Sequence, residues 1–343
     1  MQTIAFFNNK GGVGKTSLVY HLSEMFAELG AKVIAADLDP QANLSTMFLD
    51  EERLEEFWSE GPHEGTILGP VTPFIKGTGD VGSPRVESVA ENIGLVVGDL
   101  GLSRFEDKLS DAWPRCVDRD EAAFRVISSF YRILLQSLEI READVALIDV
   151  GPNLGAMNRA ALIACSHVVI PLAPDLFSLQ GLKNLGPTLR EWRAQWRDRL
   201  DRFDAPRDLK LPEGSMEPVG YVLLQHSERL DRPVKAYRKW IDRIPGIYRE
   251  YVLDSPSSPA PKVDDDPNCL SLVKHFRSLM VMAMEARKPM FRLKSADGAI
   301  GSHAQAVQDC YSVFKKMALR IAEGCGVAFP RMSTQRAGSK AGR

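Results

Sequence analysis

The sequence predicts an α/β protein with a mostly parallel central sheet flanked by helices. Three observations predict it. Residues 3–7, TIAFF, form a short apolar run that leads straight into a glycine-rich loop. An amphipathic stretch follows, SLVYHLSEMFAELG at 17–30, and it places Leu18, Leu22, Met25 and Leu29 on one face at helical spacing. A second apolar run comes next, KVIAADLD at 32–39. Strand, loop, helix and strand make a βαβ unit, which requires a parallel sheet with helices over its faces.

The remaining elements follow in order. Gly30 ends the first helix. Residues 50–60, DEERLEEFWSE, carry six acids against Arg53 alone. Residues 60–85 are rich in Gly, Pro and Thr and read as a loop. NIGLVVGD (92–99), DVALIDVGP (144–152), HVVIPLAP (167–174) and PVGYVLLQH (218–226) are further buried strands, separated by helical stretches. TLREWRAQWRDRLDRF (188–203) interleaves arginines with acids. That pattern suits an exposed, salt-bridged helix, with Trp192 and Trp196 at i, i+4 packing inward or against a partner. SPSSPAPKVDDDPN (255–268) reads as a surface insertion because it is polar and proline-rich. Residues 301–324 read as a terminal helix, and 331–343 as a disordered basic tail. The expected organisation is one domain over 1–330, with insertions at about 50–90 and 195–270, and no internal repeat.

Composition narrows the class. The chain has 343 residues, 44% hydrophobic and 26% charged, which is ordinary for a soluble globular protein. No apolar run reaches the roughly 18 residues of a membrane span. The run at 3–7 is too short for a signal peptide. Five cysteines occur without a C-x-x-C pair, so reduced thiols in a cytosol are expected. Cys165 and Cys310 read as core filler. The net charge is −2, but residues 274–294 carry six Lys/Arg against Glu285, and the tail 331–343 carries four and no acid. An anionic partner should meet the C-terminal part.

The loop holds the chemistry. Residues 8–17, NNKGGVGKTS, end in Gly14-Lys15-Thr16, the close of a phosphate-binding loop. The pattern G-x-x-x-x-G-K-[ST] wants glycine at position 9, where Asn9 stands. The backbone N–H groups of Gly11, Gly12, Val13, Gly14, Lys15 and Thr16, with Ser17 behind them, would curl round phosphate oxygens at a helix N-terminus. Lys15 would bridge the terminal phosphates and the Thr16 hydroxyl would bind Mg2+. Asp37 and Asp39 lie two apart, on one side of an extended strand. Asp149 closes another strand. In a parallel sheet these ends share the edge where open α/β folds bind ligands. Asp37 and Asp149 would hold Mg2+ through its waters, and Asp39 would position an attacking water. Lys10, at the loop's start, is either a solvated surface lysine or a second cation for the phosphates.

KGGVGKTS, DLDPQANLS, VALIDVGPNLGAMNRAAL and VVIPLAPDLFSLQGL together resemble the motif series of the ParA/Soj partition ATPases. These are deviant Walker A P-loop NTPases, a group that also includes MinD. The resemblance covers residues 1 to about 190 and returns at SADGAIGSHAQAVQDCYSVF, while 195–270 match poorly. It implies ATP and Mg2+ as cofactors and an ATP-dependent homodimer in which Lys10 reaches the partner's phosphates. It also implies slow hydrolysis accelerated by a ParB-like or other partner, and non-specific binding of duplex DNA. Arg287, Lys288, Arg292 and Lys294 lie where the family carries its DNA-contacting cations, and are expected on the face away from the acidic 50–60 segment. Gln225 is the candidate adenine contact. The implied setting is a bacterial cytoplasm, on the nucleoid, in plasmid or chromosome partitioning. The alternative is a MinD-like or orphan member that positions a protein complex on a membrane or other cargo. The third motif departs from the family's D-T-P-P, reading Asp149-Val150-Gly151-Pro152. It loses the hydroxyl and keeps the aspartate.

Overall fold

The computed structural model describes residues 1–59, 61, 63–224, 239–255, 259–274 and 276–329. Gln225 and the tail 331–343 lie outside these residues. Eight strands form one sheet: β1 (Gln2–Phe6), β2 (Val33–Asp37), β3 (Glu87–Ala90), β4 (Ile93–Val96), β5 (Val145–Asp149), β6 (His167–Leu172), β7 (Glu217–Leu224) and β8 (Cys269–Val273). Their spatial order is β3-β4-β2-β5-β1-β6-β7-β8. All neighbours are parallel except β3, which runs antiparallel on the β4 edge.

Central strands alternate cleanly between two cores. Ile4 and Phe6 face one side, and Ala5 and Phe7 the other. Val145 and Leu147 match the first side, Ala146 and Ile148 the second. Successive side chains of a strand point to opposite faces, and both faces of this sheet are covered. That is why the strands read as continuous apolar runs. One face carries α1 (Lys15–Glu28), the helix Arg277–Ala286 and the terminal helix Ser302–Cys325. Leu18, Leu22, Met25 and Leu29 are buried there, as their spacing predicts. Two short helices, α2 (Asn43–Phe48) and α3 (Glu51–Phe57), follow β2.

The other face carries α4 (Leu68–Lys76), α5 (Glu106–Arg115), α6 (Glu121–Ile127), α7 (Ser129–Arg141), α8 (Ala156–Ile163) and α9 (Leu176–Asp201). The helix α4 corrects the reading of 60–85 as a loop. Pro70 sits in its first turn, where no N–H is needed. Pro73 does interrupt it. Burial of Leu68, Val71 and Phe74 along one side outweighs that lost bond. The edge strands β3 and β8 are further additions to the expected set. Trp192 and Trp196 pack inward from α9, and Trp196 Nε1 donates to the Pro212 carbonyl at 2.9 Å. All five cysteines are buried and unpaired.

Candidate active site

Register brings the site together. Phe6 of β1 pairs with Asp149 of β5, and Asp149 pairs with Asp37 of β2. The glycine loop and both carboxylates therefore leave one edge of the sheet side by side. Asn8 fixes the loop's entry: its Nδ2 donates to the Pro171 carbonyl at 2.7 Å, and its Oδ1 accepts from the Lys10 N–H at 3.0 Å. Gly12 and Gly14 take φ of 72° and 80°, a left-handed backbone that glycine adopts without strain. Gly14 also leaves room for Leu224: a Cβ there would meet its Cδ1 at 2.9 Å. No side chain caps α1 and no acid lies in its first turn. Its orphan N–H groups and positive end remain available to an anion.

The electrostatics of the site favour a bound cation. Asp37 and Asp149 are both fully buried. Ser45 holds one oxygen of Asp37, donating from N and Oγ to Oδ2 at 2.8 Å each. Asp37 Oδ1 and both oxygens of Asp149 have no hydrogen-bond partner. Burial pushes both carboxyls well above the ordinary carboxylate range, and for Asp149 the charge of Asp37 adds to it. The Thr16 hydroxyl and Lys15 pull Asp149 the other way, with Thr16 close by but outside hydrogen-bond geometry. Lys15 is itself 7% exposed, and burial lowers its ammonium against the pull of Asp149 and Asp39. Orphaned buried carboxylate oxygens are costly, and a divalent cation would satisfy them. Among the described residues no cluster of three or more His, Cys, Asp or Glu could hold a metal alone. Mg2+ does not need one, because it takes one or two carboxylates and completes its shell with water and phosphates. Asp37, Asp149 and Thr16 fit that role.

Asp39 Oδ1 accepts from the Gln41 N–H at 3.0 Å and lies 3.5 Å from where a Cβ on Gly151 would stand. It thus faces the β5–α8 loop from the β2 side. Val150, in place of the family's hydroxyl residue, is buried in the core. Asn158 Nδ2 ties the loop by donating to the Gly151 and Asn153 carbonyls at 2.9 and 2.7 Å. Beside the glycine loop an apolar pocket opens, lined in part by Leu18, Leu224, Val273, Phe276, Met280 and Phe314.

Lys10 is not a freely solvated lysine. Its Nζ pairs with Asp175 Oδ2 at the N-terminus of α9 and lies 5.7 Å from the Phe177 ring centre.

The four C-terminal cations are not presented as expected. Arg287 lies 3.9 Å from Asp50, so it faces the acidic segment instead of pointing away from it. The cause is packing: the helix Arg277–Ala286 closes a groove with Met47, Leu49 and Leu54, which brings its C-terminal end to the start of α3. Arg292 pairs with Glu24 and Glu28 of α1 at 2.5 and 3.2 Å, and Lys288 with Asp297 at 2.7 Å. Lys294 is exposed and forms no ion pair among the described residues, although its charge acts on Asp297.

Sequence reasoning named neither Ser45 nor Asp175. Both lie inside the quoted motifs, at the end of DLDPQANLS and in VVIPLAPDLF. A hydroxyl in the first turn of the helix that follows the buried Asp37, eight positions on, was the available signal for Ser45.

Residues 1–202 match the AAA domain family AAA_31. Protein IncC of Escherichia coli is 30% identical over 196 residues, 57% of this chain and 47% of IncC. The virulence plasmid ParA family protein pGP5-D of Chlamydia psittaci is 26% identical over 190 residues, 54% of this chain and 62% of that protein. The matches thus span about half to two thirds of these relatives' lengths. A plasmid partition protein of Borrelia burgdorferi, solved bound to AMPPNP, shares the fold over 94% of this chain and 98% of its own, at 17% identity and a TM-score of 0.55.

Proposed function

The chain belongs to the AAA_31 family, and on that premise we propose that it is a P-loop ATPase of the ParA type that binds ATP with Mg2+, dimerises around the nucleotide and hydrolyses it slowly. One observation carries the reading: two orphaned buried carboxylates in register beside an uncapped helix N-terminus. The N–H groups from Gly11 to Thr16 cradle the phosphates, and Lys15 neutralises the terminal ones. Asp37, Asp149 and Thr16 would hold Mg2+, which would supply charge neutralisation for phosphoryl transfer. Asp39 orients the attacking water. The apolar pocket beside the loop takes the base, in the neighbourhood of Gln225. Lys10 of one protomer adds a cation to the phosphates bound by the other, as arginine fingers do. Exposed Leu154, Leu176 and Phe177 follow β5 and β6 at this same edge, and they support a face that a second copy covers. Titration of a fluorescent ATP analogue with Mg2+ tests the site. Lys15→Ala should abolish saturation, and unchanged binding would refute the assignment.

We take non-specific duplex DNA as the outer partner, supported by the virulence plasmid ParA family protein among the relatives and by the residual exposure of Arg287, Lys288 and Arg292. Their intramolecular pairing favours a second reading, in which the nucleotide cycle positions a protein complex. An electrophoretic shift with ATP and with ADP separates the two. Retarded duplex with ATP alone supports DNA, and no retardation at low salt supports the protein cargo. Either reading takes a partner protein that accelerates hydrolysis. No helix among the described residues is long and apolar enough to cross a membrane.

A further inference from the structure

We propose that Asp175 is a positioning residue for Lys10, holding it within its own protomer until the phosphates bound by a second copy displace the carboxylate. The proposal rests on the reading of Lys10 as the lysine that acts across the dimer. The two oxygens of Asp175 have separate tasks. Oδ1 accepts from the Ser178 N–H at 2.8 Å and caps α9. Oδ2 takes Lys10. The loop's entry is built to keep the two together. Asn8 ties it to β6, and Asn9 packs on α9, where a Cβ on Gly181 would stand 2.8 Å from Asn9 Oδ1. The side chains of Lys10 and Asp175 are 33% and 36% exposed, so the pair is open to exchange.

Release is inexpensive on the acid's side. Asp175 keeps the Ser178 N–H and the positive end of a 26-residue helix after Lys10 leaves. Burial pushes its carboxyl up, but the bonds from Lys10 and Ser178 hold it below the ordinary range. Lysine has no acceptor of its own and needs another anion, and a nucleotide's terminal phosphates carry more charge than one carboxylate. Exchange therefore runs forward only where such phosphates face the loop. A half-exposed ion pair is worth a factor of up to about 5 in an equilibrium. A two-fold dimer must open two, so the contact should weaken dimerisation by up to about 25-fold.

The test compares wild type, Asp175→Asn, Asp175→Glu and Lys10→Ala by analytical ultracentrifugation with AMPPNP and Mg2+, and with ADP. Asparagine keeps the cap and removes the charge. Asp175→Asn should tighten the AMPPNP dimer by several-fold up to about 25-fold and leave the ADP state monomeric. Asp175→Glu should stay close to wild type. Nucleotide affinity of the Asp175→Asn monomer should be unchanged, which a merely misfolded loop would not give. Dimerisation of Asp175→Asn equal to or weaker than wild type overturns the proposal, while Lys10→Ala failing to dimerise leaves the reading of Lys10 intact. If Lys10→Ala dimerises as wild type does, the reading and the proposal fall together.

Discussion

Replacing Asp149 by asparagine should stabilise the nucleotide-free protein and disable it. Asp149 is fully buried, neither of its oxygens has a partner, and it sits in register with Asp37. An unsatisfied buried charged group costs about 1–3 kcal/mol or more. The unfolding entropy of a chain is about 2.1 cal/mol/K per residue. For 343 residues that is about 0.7 kcal/mol/K, so a gain of about 2 kcal/mol raises Tm by about 3 °C. The sign depends on pH. The carboxyl's folded value lies above its unfolded one, so the folded state binds the extra proton and stability falls as pH rises between the two values. The gain from Asp149→Asn should therefore be small near the ordinary carboxylate range and full above the raised folded value. With MgATP the order reverses. Wild type gains stability through binding, while the variant gains little because its Mg2+ ligand is gone. The assay is thermal unfolding at mildly acidic and mildly alkaline pH, with and without MgATP. A nucleotide-free Asp149→Asn protein less stable than wild type at alkaline pH would refute the argument from orphaned charge.

Three further outcomes follow from the same geometry. Asp39→Ala should still bind ATP but turn over at least roughly 100-fold more slowly and accumulate as dimer, measured by phosphate release and light scattering; near-normal turnover would move the water-positioning role elsewhere. Ser45→Ala leaves Asp37 Oδ2 with the Ser45 N–H alone and orphans the Gly98 N–H that Ser45 Oγ accepts at 2.8 Å; it should cost about 1–3 kcal/mol and raise the Mg2+ needed for half-saturation, with Ser45→Thr restoring both. Reversing the charge of Arg287 and Lys294 should abolish any duplex shift without loss of ATP binding, and the wild-type affinity should fall with salt at about −0.9 per phosphate on log–log axes. Arg292 is left out because a carboxylate there would face Glu24 and Glu28.

The site was more legible than the surface, and the reason is distance along the chain. β1, the loop, α1 and β2 are contiguous, and each has its own local signal. Parallel pairing then places Asp37 and Asp149 together without further information. α4 was hidden because Pro70 and Pro73 read as loop residues, while the burial that offsets them comes from residues distant in sequence, such as Phe105 and Arg132 against Phe74. The strand β8 was hidden because only four register pairs with β7 define it. Ion pairs were the least legible of all. Lys10 meets a residue 165 positions away, and Arg292 meets Glu24 across 268. A run of cations in a sequence carries no record of which anions the fold brings to it. The four C-terminal cations looked like a free patch for that reason, and three of them already have carboxylate partners. Any polyanion that binds there must compete with those carboxylates, so its affinity is set by the difference between two sets of ion pairs. Lys294 forms no ion pair among the described residues, although its charge also acts on Asp297, so it loses least on exchange and should dominate the contact. Lys294→Ala alone should therefore weaken a duplex shift more than Arg287→Ala or Lys288→Ala, and the reverse ranking would place the contact elsewhere.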